Sequence, residues 1–595
     1  MSSTFAPNRF NVAIFEHMQE QWRRLRARRA GLDAPRPRNL IVQAEAGSGK
    51  STTGREVCKL LPDAKIEVVS FNARVAEDAK AKLPGNAASL TMHAIGKRGW
   101  EGFMQRVYRK KGEMNVAQGD GELAFDKIKR VIARLKDDGQ INPYVPASLV
   151  GKLVDRARGI GLVPVDAYVG MKTRIPVKGL VCDDNRDDAW LDLMDNYGIE
   201  YSRPSVLVDA ARRTLRKSLE VSGAAIDFGD MPYLPVIVPD LKFSPRDVVI
   251  VDELQDLDAC QRRLVVKLCG GDPEIADPAR QNFTALFMGV GDPHQAIYAW
   301  RGADKDSMER CREELDCDVL PLSICYRCPS SHLDLARQYS PAIEARPGAP
   351  VGTIVDFRNG APYHNGYDNP ALAERKALAE VGDEGAIGPV RITADLFQAG
   401  DAVICRKNAP LVTIAYWLMR NRVPCKLLGR DFGAGLIAAV EATRATEADE
   451  AIRRMKLKLE KSEERDREDK TLDGEPSEAT AKLRDSIDVL VAIVDNLLER
   501  HGDAERPVST AELCAELNHL FGDGAADSSQ IVTLCSIHKA KGGEWPRVWW
   551  ADEDNCEPHA KAPEWAQIET QNLRLVALTR AMDSLFFFDS GVMAS

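Results

Sequence analysis

No run in this chain reaches the ~20 consecutive apolar residues that a membrane-spanning helix requires. The stretch Met1 to Asn11 is polar and has no apolar signal core, so no export signal is expected. There are no internal repeats and no low-complexity tract. The 13 cysteines are odd in number and scattered. That fits a reducing, cytoplasmic setting better than a disulfide framework. There is no excess of positive charge either. The net charge of −9 argues against a surface that is basic overall, although it leaves a local basic groove open.

What remains is ordinary globular material: 595 residues, 44% hydrophobic and 28% charged. At roughly 100–200 residues per domain, that is about three to five domains. Arginines crowd one stretch, Arg23, Arg24, Arg26, Arg28, Arg29, Arg36 and Arg38. Arg106, Arg109, Lys110 and Lys111 form another. Solvated helix faces are the plain reading of both.

Short apolar strands alternate with helical stretches. Leu40 to Gln43, Glu67 to Phe71, Val248 to Val251 and Leu286 to Val290 read as strands. Residues 12 to 29 and 73 to 83 read as helices. This alternation predicts a parallel α/β sheet covered on both faces, with its ligand at the carboxyl ends of the strands. Residues 100–206 show helical and mixed patterning and read as an insertion. Asp401 to Cys405 and Arg547 to Trp550 predict strands of a second α/β unit. The charge-dense stretch 441–470, a turn at Gly474 and Pro476, and Leu483, Ile487, Leu490, Val494 and Leu497 at helical spacing predict a solvated helical hairpin.

Two motifs carry chemistry by themselves. Ala46-Gly47-Ser48-Gly49-Lys50-Ser51-Thr52 follows a strand and opens a helix, the context of a phosphate-binding loop. Glycines let backbone N–H groups wrap a phosphate at a helix N-terminus. Lys50 can neutralise phosphate charge and Ser51 can ligate Mg²⁺. After another apolar strand, Asp252 is suited to hold the same Mg²⁺ and Glu253 to deprotonate an attacking water. ATP and Mg²⁺ are the expected cofactors.

Asp252-Glu253-Leu254-Gln255-Asp256, the block Gly291 to Gly302, and Leu534 to Glu544 resemble motifs II, III and V of the UvrD/Rep/PcrA helicases of superfamily 1A. Thr91-Met92-His93 resembles motif Ib and Asp227 to Asp230 the acidic motif ending the first insertion. Tyr326-Arg327 resembles motif IV and Ala577 to Ala581 motif VI. All stand in the family's order.

The resemblance implies two RecA-like P-loop NTPase lobes, each interrupted by a mainly helical insertion: lobe 1A at 1–99 and 207–305, insertion 1B at 100–206, lobe 2A at 306–430 and 526–595, insertion 2B at 431–525. It implies a DNA-stimulated ATP hydrolase and helicase that moves 3′-to-5′ on single-stranded and tailed duplex DNA, as a monomer or weak dimer. Gln295 would sense the γ-phosphate. Arg327 and Arg580 would be arginine fingers. Tyr326 would stack on adenine and Glu544 would bind ribose. Tyr298 and Trp300 would stack on bases, with Asn72, Thr91, His93, Arg301 and His538 on the DNA backbone.

This chain departs from the family in three places. Asn11 stands where the family reads adenine with a glutamine, and offers the same amide on a shorter stem. Leu575 replaces a tyrosine of motif VI. Insertion 2B is short. A DNA-binding regulator with an impaired motor is disfavoured by the intact Lys50, Glu253, Arg327 and Arg580, and a P-loop kinase by the block from Gln295 to Arg301. An RNA-directed helicase stays open. Cys325 and Cys328 form a C-x-x-C whose irregular neighbours, Cys311 and Cys317, make a poor zinc site.

Overall fold

The computed structural model describes the chain except residues 1–4, 71–72, 111–121, 124–125, 171–173, 184–185, 276, 299–305, 359–391, 469–477, 502–505, 522–529, 557–563 and 594–595. Asn72, Trp300 and Arg301 therefore lie outside the described residues, as does the expected turn at Gly474 and Pro476. The chain divides into two compact units, Met1–Ser323 and Ile324–Ser595.

The first unit is built on six strands: β1 (Asn39–Ala44), β2 (Ile66–Ser70), β3 (Ala87–Thr91), β4 (Val248–Val251), β5 (Leu286–Gly291) and β6 (Cys317–Leu322). They lie in the order β6-β1-β5-β4-β2-β3, and every pairing is parallel. Strands β4 and β5 are buried along their whole length, which explains their unbroken apolar sequences. β6 was expected in the second lobe, beyond residue 305. It pairs with β1 instead, Asn39 opposite Cys317 and Ala44 opposite Leu322. As an edge strand it tolerates Pro321, and its membership moves the division between units to Ser323.

Helix α1 (Arg9–Arg29) buries Ile14, Met18, Trp22 and Leu25. Arginines at its end and in the segment that follows it pair within the unit. Arg29 bonds Asp247 at 2.5 Å, Arg36 donates to the carbonyls of Pro278 and Ala279, and Arg38 pairs with Asp316 and Asp318.

The insertion is helical as expected, with Lys127–Asp137, Ala147–Gly159, Asp188–Asn196 and Pro204–Val221. It also holds short paired strands, Leu162–Pro164 with Val181–Asp183 and Tyr168–Val169 with Ile175–Pro176. It is not separable at residues 100 and 206. Helix Met92–Lys110 runs through the first position, and Pro204–Val221 carries its core past the second.

The second unit has its own parallel sheet: β7 (Thr353–Asp356), β8 (Ala402–Cys405), β9 (Cys425–Leu428), β10 (Val532–Ser536), β11 (Trp545–Ala551) and β12 (Ala581–Phe588), in the order β7-β12-β11-β8-β10-β9. Stacked rings fill one side of it, with the Trp549 centroid 4.1 Å from Phe586 and 4.3 Å from Phe397.

The helical hairpin is present as Ala448–Glu468 and Glu478–His501. It is not a solvated projection. Ile487, Leu490, Val494 and Leu497 are buried in the same core as Leu411, Ala415 and Leu418 of helix Asn408–Arg420. The reason is amphipathy: the apolar stripe of Glu478–His501 meets that helix, and Asp485 accepts from the backbone N–H of Ala409 at 3.2 Å.

Candidate nucleotide site and nucleic-acid interface

Three neighbouring strands of the first unit, β1, β5 and β4, end side by side. The loop after β1 leads into helix α2 (Lys50–Leu60), whose N-cap Gly49 has φ 85°. Gly47 also has a positive φ, 68°. Side chains other than glycine rarely adopt either conformation, so the glycines are needed for the loop to turn its N–H groups inward. Ala46 and Ser48 are buried, Thr52 and Lys50 are half-buried, and Ser51 is exposed at the mouth.

Asp252 follows β4, two strands away, and accepts a 3.0 Å hydrogen bond from Ser51 Oγ. Burial, and then the charge of Glu253, raise its carboxyl to about 6, against the pull of Lys50. Two oxygens held this close, one of them an acid in need of a counter-charge, suit Mg²⁺, which takes one or two protein oxygens and completes its shell with water and phosphate.

Glu253 occupies the left-handed region at φ 56°, ψ 46°, uncommon for a residue with a side chain. Its carboxylate accepts the Gln255 side-chain amide at 2.5 Å. The other end of that amide accepts the backbone N–H of Asp292, beyond β5, at 3.0 Å. Asp292 in turn accepts the Gln295 amide at 2.5 Å. Gln255, Asp292 and Gln295 are all buried. Burial raises the Asp292 carboxyl, and Lys50 opposes that shift. The expected base and the expected γ-phosphate sensor are thus ends of one hydrogen-bonded chain. Gln255 and Asp292, absent from the sequence-derived list, are its middle. The signal was available, since both lie in the quoted motifs directly after apolar strands.

Asn11 stands beside the phosphate-loop helix. It is buried at 2% exposure, forms a reciprocal capping box with Asn8, and donates to Thr53 Oγ1 at 3.0 Å. Its short amide ties α1 to the phosphate-loop helix.

Among the expected DNA contacts, Thr91 ends β3 and caps the next helix through the N–H of Ala94, 3.1 Å away. His93 lies in that helix's first turn, with its ring 5.4 Å from Phe228. Burial lowers its pKa. Tyr298 is half-buried beyond the Pro293–Gln295 turn.

In the second unit, Tyr326 is 45% exposed. Arg327 donates to Glu544 at 2.7 Å and to the Thr579 carbonyl at 3.2 Å. Arg580 is 1% exposed and is held by the carbonyls of Val576 and Gly543 and by Thr579 Oγ1. Leu575, in the tyrosine's place, is fully buried core. His538, after β10, has its ring nitrogen 3.0 Å from Arg406.

A phosphate-binding loop, an acidic pair and a buried glutamine at adjacent ends of a parallel sheet define a P-loop nucleotide-binding protein. A family model described as the UvrD/REP helicase N-terminal domain matches residues 243–316 of the first unit. The UvrD-like helicase C-terminal domain matches residues 442–590 of the second. A segment of each unit thus resembles the corresponding domain of UvrD/REP-type helicases.

F-box DNA helicase protein 1 of Schizosaccharomyces pombe is 25% identical over 279 residues, 44% of this chain and 26% of that protein. ATP-dependent DNA helicase Rep of Buchnera aphidicola subsp. Baizongia pistaciae is 31% identical over 100 residues, 16% of this chain and 13% of that one. The chain thus spans about a quarter or less of the length of these curated relatives. An arterivirus nonstructural protein 10 helicase structure aligns over 93% of this chain and 61% of its own, at 10% identity and a TM-score of 0.27, too slight a likeness to build on. No described helix is long and apolar enough to cross a membrane.

Proposed function

We propose that the chain is an ATP-driven, single-stranded-DNA translocase that unwinds tailed duplexes with 3′-to-5′ polarity. The observation that carries this is the array at the ends of β1, β4 and β5: Ser51 on Asp252, and Glu253 joined through Gln255 and Asp292 to Gln295. Mg²⁺ held by Ser51 and Asp252 would neutralise charge on the terminal phosphates of ATP. Lys50 and the N–H groups of Gly47 to Ser51 bind those phosphates. Glu253 takes the proton of the attacking water, and Gln295 registers the γ-phosphate.

In this reading Met1–Ser323 supplies lobe 1A with insertion 1B, and Ile324–Ser595 supplies lobe 2A with insertion 2B. Arg327 and Arg580 supply cationic stabilisation of the transferred phosphate, Tyr326 stacks on adenine, and Glu544 binds ribose once it leaves Arg327. Tyr298 and Trp300 stack on bases. Asn72, Thr91, His93, Arg301 and His538 hold the strand. The work is done in the cytoplasm by a monomer or weak dimer.

The test is strand separation of 3′-tailed, 5′-tailed and blunt duplexes, in DNA and RNA, with ATP and Mg²⁺. Unwinding confined to 3′-tailed DNA supports the proposal. Phosphate release without strand separation reduces it to a nucleic-acid-stimulated ATPase. Lys50→Ala should lose nucleotide binding, and Glu253→Gln should bind ATP without turnover.

A further inference from the structure

Cys325 and Cys328 bracket Tyr326 and Arg327 where the strand Ile324–Cys325 gives way to the helix Ser330–Ala336. Both are buried, at 0% and 1% exposure. The backbone N–H of Cys328 donates to Cys325 Sγ at 3.4 Å, so both sulfurs belong to one tight turn. The Cys328 thiol, two backbone N–H groups and the charge of Arg327 hold Cys325 below the ordinary thiol range despite its burial. The contact with Cys325 and burial push Cys328 up. The two thiols are thus shifted in opposite directions, the asymmetry of a reactive C-x-x-C.

Several other buried thiols are shifted the opposite way to Cys325. Burial raises Cys58, Cys269, Cys405 and Cys535 to about 12 or beyond. Cys317 is raised as well, and its S–H points at the Cys311 carbonyl, 3.8 Å away. Among the described residues no group of three or more His, Cys, Asp or Glu side chains is placed to hold a metal ion.

The pair also touches the catalytic candidates of its own unit. Cys328 Sγ donates to the Thr579 carbonyl at 3.6 Å, the same oxygen that accepts from Arg327. Thr579 precedes Arg580, whose guanidinium it also accepts from. Closing a disulfide draws the two sulfurs to about 2.05 Å. It removes the S–H that Thr579 receives, and the two residues between the sulfurs must shift with them.

We propose that Cys325 and Cys328 are a reversible two-electron oxidation site, closed to a disulfide by a small hydroperoxide, and that closure displaces Arg327 and lowers ATP turnover. The Cys325 thiolate attacks one peroxide oxygen, the O–O bond breaks, and hydroxide leaves, giving a sulfenic acid at Cys325. Cys328 sulfur then attacks the Cys325 sulfur. The S–S bond forms, the S–O bond breaks, and the Cys328 proton leaves with the hydroxyl group as water. The two thiols lose two electrons together, and the peroxide gains them. Because both thiols are buried, the smallest peroxide, hydrogen peroxide, is the oxidant proposed. A dithiol reductant reverses the step.

The effect on turnover rests on the proposed ATPase, but the disulfide does not, so the two are measured separately. The full chain is treated with hydrogen peroxide, alkylated and peptide-mapped, with and without dithiothreitol, and phosphate release is followed on the same samples. The expected result is a Cys325–Cys328 crosslink that dithiothreitol removes. Single-strand-stimulated phosphate release should fall at least about tenfold and recover with it, since an arginine finger is worth ~10³–10⁵ in rate. Cys328→Ser and Cys328→Ala should keep basal turnover, form no crosslink and lose the reversible inhibition.

Free Cys325 and Cys328 after oxidation of other thiols overturn the proposal. So does a crosslink that leaves turnover unchanged in an active enzyme. If the chain hydrolyses no ATP even when reduced, the motor reading fails, and the peptide map alone decides the oxidation site.

Discussion

Gln255 holds the Glu253 carboxylate at 2.5 Å with one end of its amide and the backbone N–H of Asp292 at 3.0 Å with the other. Because Gln255 is 2% exposed, neither bond is exchanged with water. Cutting the link should misplace the base and separate it from Gln295. We expect Gln255→Ala to lower kcat by about 10–100-fold with KM for ATP changed far less, the pattern of an interaction made in the transition state. Steady-state phosphate release with saturating single strand checks this. A purely structural role would instead show as a lower melting temperature with kcat intact at low temperature.

Arg327 and Arg580 should separate on stability. Arg327 reaches the surface of its unit, whereas Arg580 is 1% exposed and bonded to two backbone carbonyls and a hydroxyl. Arg327→Ala should reduce kcat by orders of magnitude with little change in melting. Arg580→Ala should also destabilise, by about 1–3 kcal/mol, because it strips buried carbonyls of their donor. Urea unfolding beside phosphate release distinguishes the two. Equal melting of both variants would remove the structural share assigned to Arg580.

Asn11→Ala should behave as a lost cap. Its bonds to Asn8 and Thr53 support the start of α1 and the phosphate-loop helix, so a loss of about 0.5–2 kcal/mol is expected. Preference among ATP, GTP and CTP, measured as relative kcat/KM, should stay as in the wild type. A changed preference would return the residue to base reading.

Lys127, Arg158, Asp227 and Asp230 form a buried ionic cluster that ties the insertion to the chain's return. Lys127 lies 2.5 Å from Asp230, and Arg158 lies 2.9 Å from Asp227 and 3.0 Å from Asp230. Lys127→Met should cost about 3–5 kcal/mol by stranding a buried charge. Burial favours protonation of Asp227, but Arg158 and then Lys127 hold its carboxyl below the ordinary value. The folded value is the lower one, so this stabilisation is complete above the unfolded pKa and disappears as pH falls through the folded one. The gap in urea stability between wild type and Asp227→Asn should therefore be widest above about pH 4 and narrow in stronger acid. A gap that widens in acid would reverse the assignment.

Trp300→Ala should cut unwinding more than it cuts ATP hydrolysis at saturating DNA. It should weaken single-strand binding about tenfold, because stacking is worth ~1–3 kcal/mol per base. The salt dependence of binding should not change, since no phosphate contact is lost. Parallel loss of melting temperature, hydrolysis and unwinding would assign the ring to core packing.

The chain's local order was legible in one dimension. A phosphate loop, an acidic strand end and an apolar strand are contiguous segments whose spacing follows from backbone geometry, so Gly47 to Ser51 and Asp252-Glu253 could be read without a fold. The alternation of strands and helices likewise specified parallel sheets. Three features depended on which distant segments meet. Cys317–Leu322 joins the first sheet because the edge beside β1 accepts a strand that buries its two ends, Cys317 and Leu322, and its sequence does not say which sheet it serves. The stripe from Ile487 to Leu497 announces an apolar face, while helix Asn408–Arg420 decides that the face is covered. Asn11 and Gln255 carry the same kind of group, an amide with one donor end and one acceptor end. Only tertiary placement beside Thr53, or between Glu253 and Asp292, turned the first into a brace and the second into a link, because a hydrogen bond is specified by the partner that burial brings within 3 Å.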